Sequence, residues 1–320
     1  MNADSVISIL KVALPCVASL LLYTSIVHPG LIPRRKVDLK AKYGEWAMVV
    51  GASKGLGASW SRALAKRGMN LVLIARSKQD LEALARNLSI ENGIQVEIVV
   101  QDLSNTTSWR LKCQEIAQGK DIGLVVYNAA QVTIGRHLVH TLSTHLSTVR
   151  VNIDGVLAAV DAFVPPMRAR KRGAVILMSS VTGQGGAAIH ANYGAIKAWN
   201  SAFAEALWAE VREDKVDVLG VILGVTSTPT LDEVMDPNQR QRMFEANPDD
   251  VVSEALNALG HGPIVICGLV PKIACMLMWL LPPKTRASVA MVVEKTYKQG
   301  NELKAIAERN ASAAGNASPL

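Results

Sequence analysis

The chain is short of aromatic residues, which make up 4% of its 320 positions, and it has only four cysteines. With 49% apolar residues and few aromatics, Ala, Val, Leu and Gly must fill the interior, as in a parallel sheet packed closely by helices. That apolar content excludes a disordered chain. Cys16, Cys113, Cys267 and Cys275 form no CxxC pair and no Cys/His ligand spacing, so they read as small hydrophobes in a reducing compartment. His137, His140 and His145 cluster in sequence, but no Cys or carboxylate pattern joins them, and no metal site is expected. Acidic residues are outnumbered, 27 against 34 Lys and Arg, for a net charge of +7. The basic residues are scattered or follow an apolar run, with no aromatic surface for stacking bases, which argues against nucleic acid as a partner.

That run, 6–27, is almost wholly apolar apart from Ser, Thr and Tyr and a single charge at Lys11, with Pro15 also weakening it as a helix. Its length of about 22 residues suits a membrane-spanning or anchoring helix. The rivals are a cleaved signal peptide, disfavoured by the length and by the lack of an A-x-A site, and an amphipathic segment packed on the domain. Arg34, Arg35, Lys36, Lys40 and Lys42 follow, so the positive-inside bias places the bulk of the chain in the cytosol. The same charges suit anionic lipid.

From 45 onward short apolar runs alternate with stretches of helical period. Strands are expected at 47–50, 71–74, 96–100, 124–127, 174–178, 216–223 and 263–267. Helices are expected over 56–67, 78–92, 107–118, 142–170, 192–214 and 248–259. Strands spaced by helices predict an α/β fold with a doubly wound parallel sheet, and no linker or repeat divides 45–268.

The first strand runs into Gly51-Ala52-Ser53-Lys54-Gly55-Leu56-Gly57 and then a helix. Glycines there allow a tight turn and let a pyrophosphate approach the backbone at the positive helix N-terminus. The string alone is common; its place between strand and helix gives it weight. The second strand ends in Ile74-Ala75-Arg76-Ser77, without the Asp or Glu that would hold a ribose 2′-hydroxyl. Lys54 and Arg76 suit a 2′-phosphate instead, so NADP(H) is the expected cofactor. Asp102, beside Leu103 at the end of the third strand, either accepts from an adenine amino group or caps the next helix.

Tyr193 and Lys197 are four apart in a helix expected to open at Asn192, so they share a face. A free tyrosine titrates near about 10, and a cation held beside it favours the phenolate and makes it useful for acid and base work. Ser180 ends the preceding apolar run, which puts its hydroxyl at the C-terminal tip of a strand.

With these motifs in this order, the chain resembles the short-chain dehydrogenase/reductase family over about 45–268. The family's loop glycines match Gly51, Gly55 and Gly57, and its N-N-A-G strand end appears as Tyr127-Asn128-Ala129-Ala130. Its catalytic Asn, Ser, Tyr and Lys fall on Asn152, Ser180, Tyr193 and Lys197. The resemblance implies a Rossmann-type sheet of about seven strands, with a nicotinamide cofactor across its C-terminal edge at Gly51, Ser53, Lys54, Gly55, Leu56 and Gly57, then at Arg76, Asp102, Leu103, Asn128 and Ala129. It implies hydride exchange between a carbonyl and an alcohol. Ser180 holds the oxygen, Tyr193 protonates it, Lys197 keeps Tyr193 acidic and binds the nicotinamide ribose, and Asn152 anchors a water that replaces the proton. A homodimer or homotetramer is also implied, with Trp199 and Trp208 either at a subunit seam or in the core.

Four departures stand out. Val50 replaces a frequent Thr, Tyr127 replaces an Asn, Ala130 replaces a Gly, and Leu223-Gly224 replaces Pro-Gly. Beyond them, Thr226 or Thr228 is expected to bond the nicotinamide carboxamide. The run Lys42-Tyr43-Gly44-Glu45-Trp46-Ala47 after an apolar N-terminus looks like the membrane-associated 3-ketoacyl-CoA reductase and 17β-hydroxysteroid dehydrogenase branch.

The segment 229–247, with Met235, Met243 and Phe244 among charges, is expected to form a mobile helical lid over an apolar cleft. The apolar segment 269–282 is too short to span. It either lies in the membrane interface, with Lys284 and Arg286 at the headgroups, or covers the substrate opening or a dimer seam. The last residues, 301–320, read as a frayed helix and disordered tail. The expected organisation is an anchor and basic linker over 1–44, an NADP-binding catalytic domain over 45–268 and an apolar helical extension over 269–320. The domain would face the cytosol, from the endoplasmic reticulum in a eukaryote or the inner membrane in a bacterium. The leading function is NADPH-dependent reduction of a lipophilic ketone. An oxidative alcohol or hydroxysteroid dehydrogenase is the alternative, and a non-catalytic NADP-binding scaffold a third.

Overall fold

The computed structural model describes residues 37–234 and 244–294. Among them, seven strands form one parallel sheet in the order β3-β2-β1-β4-β5-β6-β7. These are β1 (Trp46–Val50), β2 (Asn70–Ala75), β3 (Val96–Val100), β4 (Ile122–Tyr127), β5 (Gly173–Ser180), β6 (Val216–Leu223) and β7 (Ile264–Ile266). β1 and β4 are almost wholly buried, which explains why they read as unbroken apolar runs rather than alternating ones.

Helices cover both faces. α1 (Leu39–Tyr43) leads into β1, and α2 (Gly55–Ala65), α3 (Lys78–Asn92), α4 (Thr106–Gly119), α5 (Leu142–Val149), α6 (Gly155–Ala169) and α7 (Ala191–Val211) lie between strands. After β6 come α8 (Pro229–Val234) and α9 (Pro248–Ala258), and after β7 come α10 (Leu269–Leu280) and α11 (Pro283–Glu294). One core cluster joins Trp60, Leu64, Leu81, Leu88 and Val252; the other joins Trp109, Phe163, Met167 and Leu207. The scarce aromatics are thus spent as anchors of the two layers. Capping sets the helix starts: Ser77, Asn105, Thr141 and Asn247 each accept a backbone N–H of the first turn.

The single helix expected over 142–170 is broken. Between α5 and α6, Arg150–Asp154 forms a π-helical turn. Widening the helix changes which carbonyls find partners, and side chains from neighbouring elements supply them. Tyr127 Oη donates to Val151 O (2.7 Å) and Trp109 Nε1 donates to Gly155 O (2.9 Å). A Cβ on Gly155 would stand 2.0 Å from Tyr127 Oη, so the tyrosine that departs from the family pattern is packed directly on this turn.

At the other edge of the strands, Leu39 and Tyr43 of α1 are buried in the first core cluster. Tyr43 Oη donates to Asp217 Oδ2 (2.8 Å), and the Lys42 ammonium pairs with the same oxygen (2.8 Å). Among the described residues no helix is long and apolar enough to cross a membrane. The expected spanning helix over 6–27, most of the middle of the expected lid and the tail over 301–320 lie outside the described residues.

Candidate active site

The strand order reverses between β1 and β4, and a cavity of about 1160 Å³ lies outside the carboxyl ends of the strands. Open α/β sheets bind ligands at such a point because the helices following the two strands leave to opposite faces.

The glycine loop forms one wall. Gly51 takes φ +81°, and a Cβ on Gly57 would stand 1.9 Å from the Gly51 carbonyl oxygen, so the first turn of α2 can settle on the loop only with hydrogens at both places. Asn128 locks the turn. Its Nδ2 donates to Gly51 O (3.0 Å), and the N–H groups of Asn128 and Ala129 donate to Val50 O (3.0 and 2.8 Å). Ser53, Lys54, Gly55 and Leu56 line the cavity where α2 opens, a cradle for a diphosphate at a helix N-terminus.

Lys54 and Arg76 border the same end of the cavity. The Lys54 ammonium stands 3.1 Å from Asp80, a carboxylate that sequence reasoning did not single out. Hydrogen bonding to Ser77 and then the Lys54 partner hold the Asp80 carboxyl below its usual range. Its one sequence signal is the Ser77-to-Asp80 spacing of a helix start. Asp102 does not cap the next helix; Asn105 does, accepting from Ser108 N (3.1 Å). Asp102 Oδ1 instead accepts from Ser104 N and Oγ (both 2.9 Å), which keep its carboxyl below the usual range while Leu103 beside it is buried.

β5 and α7 build the opposite wall. Ser180 Oγ accepts from Thr182 N (3.3 Å) and Thr182 Oγ1 (3.0 Å), which leaves the serine O–H to donate into the cavity. Tyr193 and Lys197 both line the cavity, with Nζ 5.5 Å from the centre of the tyrosine ring. Lys197 is 3% exposed, its Nζ donates to Met178 O (2.9 Å), and burial pulls its titration down to about 8. Asn200, one turn on, donates to the same carbonyl (3.2 Å). Asn152 sits behind this wall on the π turn. Its Nδ2 donates to Gln131 O (2.9 Å) and Thr148 O (2.8 Å), and its buried Oδ1 has no protein partner.

His190 reaches the cavity through an unusual turn. Ile189 holds φ 60°, a costly conformation for a β-branched residue, and its carbonyl accepts from Gly135 N (2.8 Å). His190 is 4% exposed and lines the cavity, with burial lowering its basicity. Thr226 and Thr228 both line the cavity, and Thr226 Oγ1 donates to Gly224 O (3.2 Å). Elsewhere Trp199 stacks on Phe203 (4.6 Å) and both pack against the second core with Trp208. The His137 and His145 rings stack at 4.1 Å, and among the described residues no cluster is placed to hold a metal ion.

A dinucleotide cradle at one end and a Ser-Tyr-Lys group at the other define an oxidoreductase that interconverts CH–OH and C=O groups. The chain belongs to the short chain dehydrogenase family, whose model matches residues 45–239. It is 32% identical over 235 residues to a 7beta-hydroxysteroid dehydrogenase of Mediterraneibacter gnavus, across 72% of this chain and 89% of that protein. It is also 32% identical over 224 residues to a very-long-chain 3-oxoacyl-CoA reductase of Podospora anserina, across 68% of this chain and 64% of that protein. A solved structure from work on 7beta-hydroxysteroid dehydrogenase stereoselectivity superposes with a TM-score of 0.74 at 28% identity, covering 79% of this chain and 99% of that one.

Proposed function

We propose that the protein is an NADPH-dependent reductase of a carbonyl group on a lipophilic substrate, with Tyr193 as the general acid. The observation carrying this reading is that Ser180, Tyr193 and Lys197 share one cavity with the cradle at the start of α2. The cradle fits a dinucleotide because Gly51 and Gly57 leave bare backbone there. Lys54 and Arg76 favour NADPH, since β2 ends without a carboxylate to take a ribose hydroxyl.

When bound, the cofactor supplies a hydride to the carbonyl carbon. The chain's own residues handle the oxygen. As negative charge builds there, the Ser180 O–H donates to it and the Tyr193 phenol gives up its proton. The Lys197 ammonium favours the phenolate left behind. Asn152 Oδ1, buried with no protein partner, is the acceptor for a water that returns the proton. In the oxidative direction Tyr193 takes the alcohol proton instead.

Val132, Ile134, Val151, Val181, Val225 and Leu231 give the substrate end of the cavity an apolar lining, and the two relatives are named for a hydroxysteroid and a very-long-chain acyl substrate. The apolar run at 6–27 and the basic residues after it support a domain tethered to a membrane on its cytosolic side.

The test is NADPH oxidation by the purified protein across 3-ketoacyl-CoAs, 17-ketosteroids, retinal and small ketones, with Tyr193→Phe assayed beside it. At least one lipophilic carbonyl compound should be consumed. The variant should lose turnover while binding NADPH nearly as well. A silent panel, or turnover retained by Tyr193→Phe, would sink the reading.

A further inference from the structure

α10 is mounted inside out. Its one charged residue, Lys272, turns inward onto Glu254 of α9, with side-chain exposures of 9% and 18%. Glu254 also accepts from the Gly268 N–H at the start of the helix (2.7 Å). The outward face carries Leu269 (65% exposed), Ile273, Leu277 and Leu280 (67% exposed), with Val270 and Trp279 beside them. Steps of four, four and three place the four aliphatic residues on one stripe. A helix facing water is oriented the other way. Each exposed leucine forgoes burial, while the lysine head loses hydration.

Two contacts hold the helix in this posture. Cys275, its one fully buried side chain, packs with Ile222 and Ile266, and the Trp279 indole donates to Gln184 Oε1 (3.2 Å). Just past the helix, Lys284 and Arg286 follow two prolines, and no acidic residue comes before Glu294. Aliphatic stripe, indole and cations are the groups that meet acyl chains, interface and anionic headgroups at a bilayer surface.

We infer that α10 docks on an anionic membrane surface, lying in its plane with the Leu269, Ile273, Leu277 and Leu280 stripe immersed. Its 12 residues, about 18 Å long, are too few to cross. An apolar stripe followed by cations with no acidic residue between them matches an anionic lipid surface, whereas a seam between two copies would bring like charges together. α10 borders the turn after Ser180, whose Val181 and Thr182 line the cavity, so docking brings the cavity next to lipid. That last consequence rests on the lipophilic-substrate reading; the docking does not.

The apolar run at 6–27 makes vesicle binding by itself uninformative, so the readout must be local to α10. The full-length chain with Cys16→Ser retains the buried Cys113, Cys267 and Cys275. It is labelled with the NBD fluorophore at Leu277→Cys or, as a control, at Ile90→Cys on α3, where the native side chain is 77% exposed. Mixed phosphatidylcholine and phosphatidylserine vesicles are prepared with and without brominated acyl chains. At position 277 emission should shift to the blue and be quenched severalfold by the brominated lipid, and at position 90 it should do neither. Ile273→Glu with Leu280→Glu, added to the Leu277→Cys chain, should abolish the quenching while the melting temperature holds. Water-like emission at 277 overturns the proposal. A blue shift without bromine quenching also overturns it, assigning the stripe to a second copy if the shift grows with protein concentration and to the 6–27 run if it does not. Turnover of a water-soluble ketone in the same samples reports the reaction separately, so a docked but inactive protein rejects the reaction and not the docking.

Discussion

Lys197 is charged in a place that resists charge. Burial brings its titration to about 8 in the folded protein, against about 10.4 for lysine in an unfolded chain. The unfolded chain therefore binds more protons between those values, and stability rises with pH across that window. Below it, the buried ammonium costs on the order of 3 kcal/mol. Lys197→Met removes the charge, and Asn200 still donates to the Met178 carbonyl that Lys197 leaves. Without cofactor, the variant should melt higher than the wild type at pH 7, lose the rise above pH 8 and have no turnover. Thermal melts across pH check this; a lower melting temperature with the wild-type pH slope would reject it. A second residue-scale prediction concerns Asp80, which pairs with Lys54 and, if NADPH is the cofactor, would compete with its 2′-phosphate. Because the pair is exposed, the effect is modest. Asp80→Asn should tighten NADPH a few-fold and leave NADH unchanged in fluorescence titrations.

At the scale of elements, the sheet was legible because each strand is mostly apolar, even where Glu97 and Asp217 interrupt β3 and β6, and is bounded by polar helix starts. The glycine loop and the Tyr193–Lys197 pair were legible because local spacing determines them. Three features were not. The π turn lies inside an unbroken helical period at 142–170, and its partners, Tyr127 and Trp109, come from other elements. The placement of His190 depends on a positive φ at Ile189, a residue type that gives no warning of one. The posture of α10 depends on Glu254, which has no sequence relation to it. The π turn yields a prediction of its own. Tyr127→Phe leaves the Val151 carbonyl without its donor, which should cost about 1–3 kcal/mol in denaturant unfolding. As Asn152 is the next residue, kcat should fall more than NADPH affinity does. Equal losses in both would point to general loosening of the cavity.

At the scale of the whole molecule, the cavity collects residues from the ends of β1 through β6, so a ligand bound there links both halves of the sheet. NADPH at a hundredfold excess over its Kd should add about 2.7 kcal/mol of stability, and NADH at the same concentration less. Melting curves with each cofactor measure the preference without any substrate. Arg76→Ala should bring the two curves together.

Strand direction also gives the molecule a base and a rim. α1 sits at the base, just ahead of β1, and Tyr43 fastens it to Asp217 near the start of β6. α10 sits at the rim, just after β7. The eight-residue strands β5 and β6 separate the two levels by about 26 Å. If 6–27 is held in a bilayer and α10 rests on it, the nine residues 28–36 would be a leash from the lipid to the base, with a reach of at most ~32 Å. That is enough slack for the domain to lie down, and too little for it to roam. A domain so tethered would meet a lipid-borne substrate in two dimensions rather than three, and shortening the leash by five residues would stand it up and take the rim off the membrane.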